Sequence, residues 1–242
     1  MQESDKTLLE RWRTQRDADA FKSLAGRHAG MVYAVCNRIL HNAAEAEEAA
    51  QECFEALAMA RTKTYSGSVG AWLHGVATNR SLQRLRSEGR RRKHEQRFAE
   101  GQGPSHEIAW DDIYDLVDEA IAALSLKLQT PLIAHYLEGQ SKTDIARASG
   151  VAVSTISYRI DKGIGLVRKS LRKRGVPVTT PALVVLFESQ HVEAAPPALV
   201  AKLGKLAVGG GRGSTYGIWT RCRRGADDRA VHHHGRRLRF PA

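Results

Sequence analysis

Cysteine and long apolar runs are both scarce in this chain of 242 residues. Its three cysteines, Cys36, Cys53 and Cys222, show no spacing typical of a disulfide framework or a metal site. Cys36 and Cys53 fall on apolar helical stripes, which predicts that they pack in a core in a reducing cytosol. No signal peptide is recognisable, and the apolar run Ala182–Phe187 is far too short to span a bilayer. We therefore expect a soluble cytoplasmic protein with no membrane contact.

Sequence patterns of catalysis and of cofactor binding are also absent. The run Gly67-Ser68-Val69-Gly70 lacks the G-x-S-x-G spacing of a hydrolase nucleophile, and no carboxylates follow a metal-site pattern. His232–His234 has no further ligands at a fixed spacing. These absences predict a protein that is not an enzyme, with no catalytic residue, no metal site and no cofactor.

The charge balance is strongly positive, and the positive charge is divided between separate blocks. The formal net charge is +11. Residues 80–97 contain eight Lys or Arg against two Glu, and residues 141–176 contain nine against two acidic residues. A polyanion could therefore be contacted at more than one place. Basic charge alone, however, also fits a membrane surface or solubility.

Residues 141–171 predict a helix-turn-helix. Ser141 followed by Asp144 is typical of a helix start, and Gly150 can take the positive φ of a tight turn. The second helix has an apolar stripe made of Val153, Ile156, Ile160, Val167 and Leu171. Its other face is polar and could enter the DNA major groove, with Ser154, Ser157, Tyr158, Arg159 and Lys162. The alternative is an ordinary helical hairpin with a solvated basic face.

The helix predicted after Asn42 combines an apolar face with an acidic one. Its inward side chains are Ala46, Ala49, Ala50, Cys53, Phe54 and Leu57, and its outward ones are Glu47, Glu48, Gln51, Glu52 and Glu55. The acidic face cannot contact DNA, because phosphate repels it. It is either a solvated surface or a docking face for a basic protein, and composition alone favours the solvated surface.

The following helix is apolar in its first half and basic in its second. Val69, Trp72, Leu73 and Val76 are expected inside, and the basic half begins at Arg80. A cationic helix of this kind suits a nucleic-acid groove or a single strand. Nearby, Tyr65 and Asn79 could stack on or hydrogen-bond to unpaired bases, although Tyr65 could equally anchor its loop.

Composition divides the chain into five segments. A first helical domain, 1–97, is followed by a linker at 98–110, which contains Gly and Pro and is expected to be flexible. A second domain of four helices follows at 111–176. Residues 177–208 predict a short helical extension, and the Gly- and Arg-rich residues 209–242 predict disorder. The predicted fold class is therefore all-α, with two small helical domains joined by a flexible linker.

Three proline-containing steps predict helix starts in the second half of the chain. Thr130-Pro131 is expected to begin a helix of the second domain, after a helix over Trp110–Leu124. Thr180-Pro181 and Pro196-Pro197 are each expected to begin a short helix of the extension.

Two blocks of the sequence resemble the bacterial sigma factors of the extracytoplasmic-function (ECF) group. Glu45–Phe54, Trp72-Leu73 and Asn79-Arg80 are similar to the family's second conserved region. Its fourth region is resembled by Leu137–Ser141, Asp144–Ala146, Gly150-Val151, Thr155-Ile156 and Arg159. The resemblance covers about residues 5–175. Residues 177–207 also look like extensions found on some ECF factors of planctomycete type. Gly163 departs from the pattern and is predicted to weaken its helix by up to about 1 kcal/mol relative to Ala.

The resemblance implies a subunit that gives RNA polymerase its promoter specificity. The acidic face would dock on the clamp helices of the β′ subunit through Glu47, Glu48, Gln51 and Glu52, which reverses the preference for a solvated surface. The melted minus-ten element would be bound by Arg61, Lys63, Tyr65, Asn79, Arg80, Arg84 and Arg86. The minus-thirty-five element would be met by Ser154, Thr155, Ser157, Tyr158, Arg159 and Lys162. Expected partners are thus core RNA polymerase (β′ clamp helices and β flap) and promoter DNA, and an anti-sigma factor is left open.

Two other functions compete with this one. A conventional helix-turn-helix regulator, which binds an operator without being a polymerase subunit, would explain residues 141–171 but would leave the acidic face and the basic helix unused. A DNA-processing enzyme with a C-terminal DNA-binding module would need a catalytic constellation, and none is recognisable in the sequence.

Overall fold

The computed structural model describes residues 3–60, 68–96, 110–188 and 194–209, and these form α-helices and turns without a strand. The prediction of an all-α fold is confirmed. The ten helices of the described ranges are, in chain order, α1 (Asp5–Gln15), α2 (Ala18–Leu40), α3 (Ala43–Met59), α4 (Val69–Gln96), α5 (Trp110–Ala122), α6 (Leu126–Tyr136), α7 (Lys142–Ser149), α8 (Val153–Lys173), α9 (Thr180–Glu188) and α10 (Pro197–Gly209). None of them is long and apolar enough to cross a membrane.

Helix starts follow the capping residues expected from the sequence. The side-chain oxygen of Asn42 accepts hydrogen bonds from the backbone N–H groups of Ala44 (3.0 Å) and Glu45 (3.3 Å). Ser68 does the same for Ala71 at 3.1 Å. These bonds satisfy amides that have no partner inside the helix, so the start of each helix is decided locally.

Helix α2 is the centre of the first group of helices. It packs against α1, α3 and α4, and its stripe from Phe21 to Ile39 is buried. All six inward side chains predicted for α3 are buried as well. They include Cys53, which is a free thiol like Cys36 on α2, so the prediction that both cysteines pack in the core is confirmed. Burial raises the pKa of the Cys53 thiol.

Helix α8 is the centre of the second group, against which α5, α6 and α7 pack. Four residues of its predicted stripe are buried: Ile156, Ile160, Val167 and Leu171. The prediction for Val153 was wrong, because this first residue of α8 is 43% exposed. Val153 lies one turn before Ile156, the first buried residue of α8, so the helical repeat does not bury it.

Helix α6 begins earlier than the proline pattern predicted. It starts after Ser125, whose carbonyl oxygen accepts hydrogen bonds from the N–H groups of Leu128 and Gln129, both at 2.9 Å. Pro131 therefore lies inside the helix, not at its first position. Proline removes one backbone donor there, and Pro131 is buried in the core together with Leu132 and Ile133.

The two groups of helices contact each other within one compact unit, residues 1–210. Helix α4 packs against α5 and α6, and α2 packs against α5. The division into domains at 97–111 stays a prediction, and residues 98–109 of the predicted linker lie outside the described residues.

The extension after the second group forms the two short helices that its prolines predicted. Helix α9 packs against α8, whereas α10 packs against α2 and α3 of the first group. The predicted disordered tail lies outside the described residues from position 210 onward.

Candidate nucleic-acid and partner interfaces

The predicted helix-turn-helix is formed by α7 and α8. The hydroxyl of Ser141 accepts a hydrogen bond from the N–H of Asp144 (3.1 Å) and donates one to the Asp144 carboxylate (2.6 Å). Gly150 takes a φ of +65° at the end of α7, a conformation that glycine adopts without strain. Helix α8 begins three residues later, at Val153, so the two helices are joined by a tight turn.

One side of α8 presents hydroxyls and cations. Ser154, Tyr158 and Lys162 are exposed, and Thr155, Ser157 and Arg159 are half-buried beside them. The ammonium of Lys162 lies 5.5 Å from the centroid of the Tyr158 ring and 3.4 Å from its hydroxyl oxygen. The six residues predicted to meet duplex DNA are thus on one helix, and Tyr158 has 61% of its surface exposed.

The acidic face of α3 is in contact with basic side chains of this same chain. Glu52 pairs with Arg80, and its other carboxylate oxygen lies 2.6 Å from Arg84. Arg84 also reaches Glu48 at 3.4 Å. Partial burial opposes the charge on Arg84, but its bonds to Glu52 and Glu48 outweigh this and raise its pKa. Residues predicted for two different partners, a protein and DNA, therefore lie side by side.

The exposure of this pairing surface is uneven. The side chain of Glu48 is 67% exposed, whereas Arg80 is only 4% exposed. Gln51 donates a hydrogen bond to Glu55 at 2.9 Å along α3. At the other end of the face, the carboxylate of Glu47 lies 3.5 Å from the ammonium of Lys202 on α10. Glu48 is consequently the acidic group of α3 most open to a partner protein.

The remaining residues predicted for single-stranded DNA are only partly described. Asn79 is exposed on α4. The guanidinium of Arg86, 67% exposed, lies 3.7 Å from Glu119 of α5. Arg61, Lys63 and Tyr65 lie outside the described residues.

A buried charge cluster joins the two groups of helices, and the sequence did not predict it. The carboxylate of Asp118 on α5 accepts hydrogen bonds from Arg38 of α2 at 3.0–3.1 Å and lies 3.0 Å from Nε2 of His74 on α4. Asp118 and His74 are fully buried. Burial alone would raise the pKa of Asp118, but the charge of Arg38 and the bond to His74 outweigh it and lower that pKa.

A second buried ion pair network lies at the N-terminal end of α4. Nε2 of His28 is 2.8 Å from Asp5 of α1, and Nδ1 is 3.0 Å from Glu138, which follows α6. Glu138 fits there because residue 70 is glycine: a Cβ at Gly70 would lie 1.9 Å from a carboxylate oxygen of Glu138. Both ring nitrogens of His28 therefore have a carboxylate partner. Its two carboxylate partners, 23 and 110 residues away, were not predicted.

Comparison with known proteins relates these helices to a protein family. The Sigma-70 region 2 family matches residues 24–91, which span most of α2, all of α3 and the part of α4 that carries Arg80, Arg84 and Arg86. The ECF RNA polymerase sigma factor SigW of Bacillus subtilis is 27% identical over 171 residues, which are 64% of this chain and 91% of SigW. The RNA polymerase sigma-H factor of Pseudomonas aeruginosa is 29% identical over 186 residues, which are 71% of this chain and 95% of that protein.

These similarities relate the chain to the ECF group of sigma factors. Both residue blocks on which the resemblance depended lie within α2–α4 and α6–α8. Its likeness to planctomycete-type extensions after residue 176 stays a prediction.

Proposed function

We propose that this chain is an ECF sigma factor that binds core RNA polymerase, directs it to promoters, helps to melt the DNA and so starts transcription. The observation that carries the proposal is the match to Sigma-70 region 2 over the very helices that present the carboxylates of α3 beside the guanidinium groups of α4. A helix-turn-helix with a polar, cationic face follows in the same chain. The two surfaces together supply a protein contact and a nucleic-acid contact.

Polymerase docking is assigned to the acidic face of α3, against the β′ clamp helices. Oppositely charged surfaces speed association and fix the orientation of the partners. The exposed carboxylate of Glu48 is the first contact a basic surface would meet. Glu47, Gln51 and Glu52 flank it on the same helix. Contact of the second helical group with the β flap completes the proposed polymerase interface.

Promoter melting is assigned to α4 and the loop before it. Extracting a base from the stack costs a few kcal/mol, and stacking on an aromatic ring next to a cationic surface offsets that cost. Tyr65 and Asn79 are the proposed base contacts, and Arg84 and Arg86 the proposed backbone contacts, together with Arg61, Lys63 and Arg80. Arg84 would have to exchange Glu52 for phosphate, which is a direct consequence of the ion pairs in the structure.

Readout of paired DNA is assigned to α8. Hydroxyls and an arginine in the first half of a recognition helix can contact base edges in the major groove. Tyr158 and Lys162 are exposed there, and Arg159 lies between them. No catalytic role is proposed for any residue, and a protein that sequesters the factor (an anti-sigma factor) is a natural third partner for the same surfaces.

Reconstitution tests the proposal. The full chain is added to core RNA polymerase, and transcription is measured on a library of genomic templates, with footprinting of the promoters that respond. We expect initiation at a restricted set of promoters. No gain of transcription on any template would refute the proposal, and tight duplex binding without polymerase binding would favour an operator-binding regulator.

Two variants separate the two surfaces. Glu48→Arg should weaken polymerase binding without weakening duplex binding, whereas the same reversal on an exposed residue of α1, Glu10→Arg, should leave both unchanged. Arg159→Ala should weaken duplex binding by about 1–3 kcal/mol at selected sequences if it contacts a base edge. A loss of the same size on every sequence would make Arg159 a phosphate contact instead.

A further inference from the structure

Helix α10 returns to the first group of helices after the chain has completed the second. It packs against α2 and α3 through Leu199, Leu203 and Ala207, which are 0%, 2% and 5% exposed. Their spacing of four residues puts them on one stripe of the helix. Apolar side chains buried to this degree each contribute to holding a helix in place, so α10 is docked as part of the core.

An ion pair also links α10 to α3. The ammonium of Lys202 lies 3.5 Å from the carboxylate of Glu47. Both side chains keep some exposure, 45% for Lys202 and 23% for Glu47. A partly exposed ion pair adds little stability, so the apolar stripe holds α10 and the ion pair places a positive charge on the acidic face.

This contact occupies one end of the surface to which polymerase docking is assigned. Glu47 is one of the four docking residues, and each of the three carboxylates among them already has a basic partner within the chain: Lys202 for Glu47, Arg84 for Glu48, and Arg80 with Arg84 for Glu52. Arg80 and Arg84 belong to the same group of helices as α3. Lys202 alone comes from the C-terminal extension and could be removed without disturbing that group.

We propose that α10 is an internal competitor for the polymerase-docking face, and that it must leave α3 before a basic partner can engage Glu47 and its neighbours together. This rests on the proposed function. When a binding-competent form is only a fraction of the population, apparent affinity falls by that fraction. If α10 covers the face about nine-tenths of the time, polymerase affinity is about tenfold weaker than it would be without α10.

The test compares full-length variants in a binding assay with core RNA polymerase. Leu203→Asp puts a charge into the buried stripe and should release α10, which raises polymerase affinity about tenfold by the relation above. Lys202→Glu leaves the stripe intact but places two carboxylates against each other, so it should raise affinity in the same direction by a smaller factor, about two- to fivefold. Lys205→Glu is the matched control: Lys205 is exposed on the same helix, forms no ion pair among the described residues and should change nothing.

Hydrogen exchange of the amides in α3 provides a second readout that needs no polymerase. Leu203→Asp should speed exchange in α10 and at its contact with α3, and Lys205→Glu should not. If the parent and Leu203→Asp bind polymerase equally well, the inference is overturned and the proposed function remains intact. If neither binds polymerase while the exchange of α10 responds as expected, the proposed function itself fails, and the competition fails with it. Should Leu203→Asp be unfolded by circular dichroism, Lys202→Glu alone decides: affinity equal to that of Lys205→Glu overturns the inference.

Discussion

Raising the pH should destabilise the folded protein because His28 loses its proton. Few other buried groups change charge in the same pH range. The imidazole is 3% exposed and lies between the carboxylates of Asp5 and Glu138 at 2.8 and 3.0 Å. Burial opposes its protonation, but hydrogen bonds and charge from both carboxylates outweigh burial and raise the pKa of His28 to about 9. The folded protein therefore holds this proton more tightly than the unfolded chain does.

The sign and size follow from proton linkage. An unfolded histidine has a pKa of about 6.5, so the stabilisation is complete below that pH and is lost as the pH rises through the folded pKa of about 9. A difference between these two pKa values corresponds to about 3 kcal/mol of folding free energy. Because His28 joins α1, α2 and the segment after α6, the loss should loosen the contact between the two groups of helices.

The assay is urea unfolding, followed by circular dichroism, of the parent and of His28→Gln between about pH 6 and about pH 9.5. Lysine, tyrosine and cysteine also titrate toward the upper end of this range, but they do so in both proteins and cancel in the difference. The parent should be more stable than the variant at the low end, and the gap should shrink by about 3 kcal/mol toward the high end. Glu138→Gln removes one of the two carboxylates and should flatten this slope. A gap that stays constant across the range would refute the reasoning.

Two further predictions concern stability alone, and both are checked by urea unfolding at neutral pH. Asp118→Asn should destabilise the protein by about 3 kcal/mol, because the partly buried Arg38 then loses its counter-ion; a loss below about 1 kcal/mol would contradict the role given to this carboxylate. Gly165→Ala should stabilise α8 by about 0.5–1 kcal/mol, since a Cβ there meets nothing within 4 Å. Gly163→Ala should show no such gain, because its Cβ would lie 3.0 Å from Leu132. Equal gains at both positions would show that the α6–α8 contact can adjust to a methyl group without cost.

Gly163 shows how tertiary packing can reverse the meaning of a residue. From the sequence it is a weak point in α8. In the structure it is buried where α8 crosses α6, with Leu124, Leu128 and Leu132 close to the place a side chain would occupy. The absence of a side chain is what lets the two helices approach. Helix propensity depends on one segment alone, whereas this contact depends on two helices that are apart in the sequence.

Local chemistry was sufficient for most of the helices and for the polar surface of α8. Caps such as Asn42 and Ser141 bond to amides two or three residues away, and the stripe of α3 repeats every three or four residues, so both can be predicted without knowing the fold. The start of α6 was predicted wrongly. A proline such as Pro131 marks a helix start only where the preceding turn is not already helical.

The pairing of charges was decided by tertiary structure. Asp118 meets Arg38 across 80 residues, His28 meets Glu138 across 110, and Lys202 meets Glu47 across 155. No periodicity links residues so far apart, and each of these side chains alone is compatible with a solvated surface. The packing of α2 against α5 brings Arg38 to Asp118, and the packing of α10 against α3 brings Lys202 to Glu47. The sequence by itself therefore determined the helices and their polar and apolar faces, and the tertiary structure decided which charged faces meet.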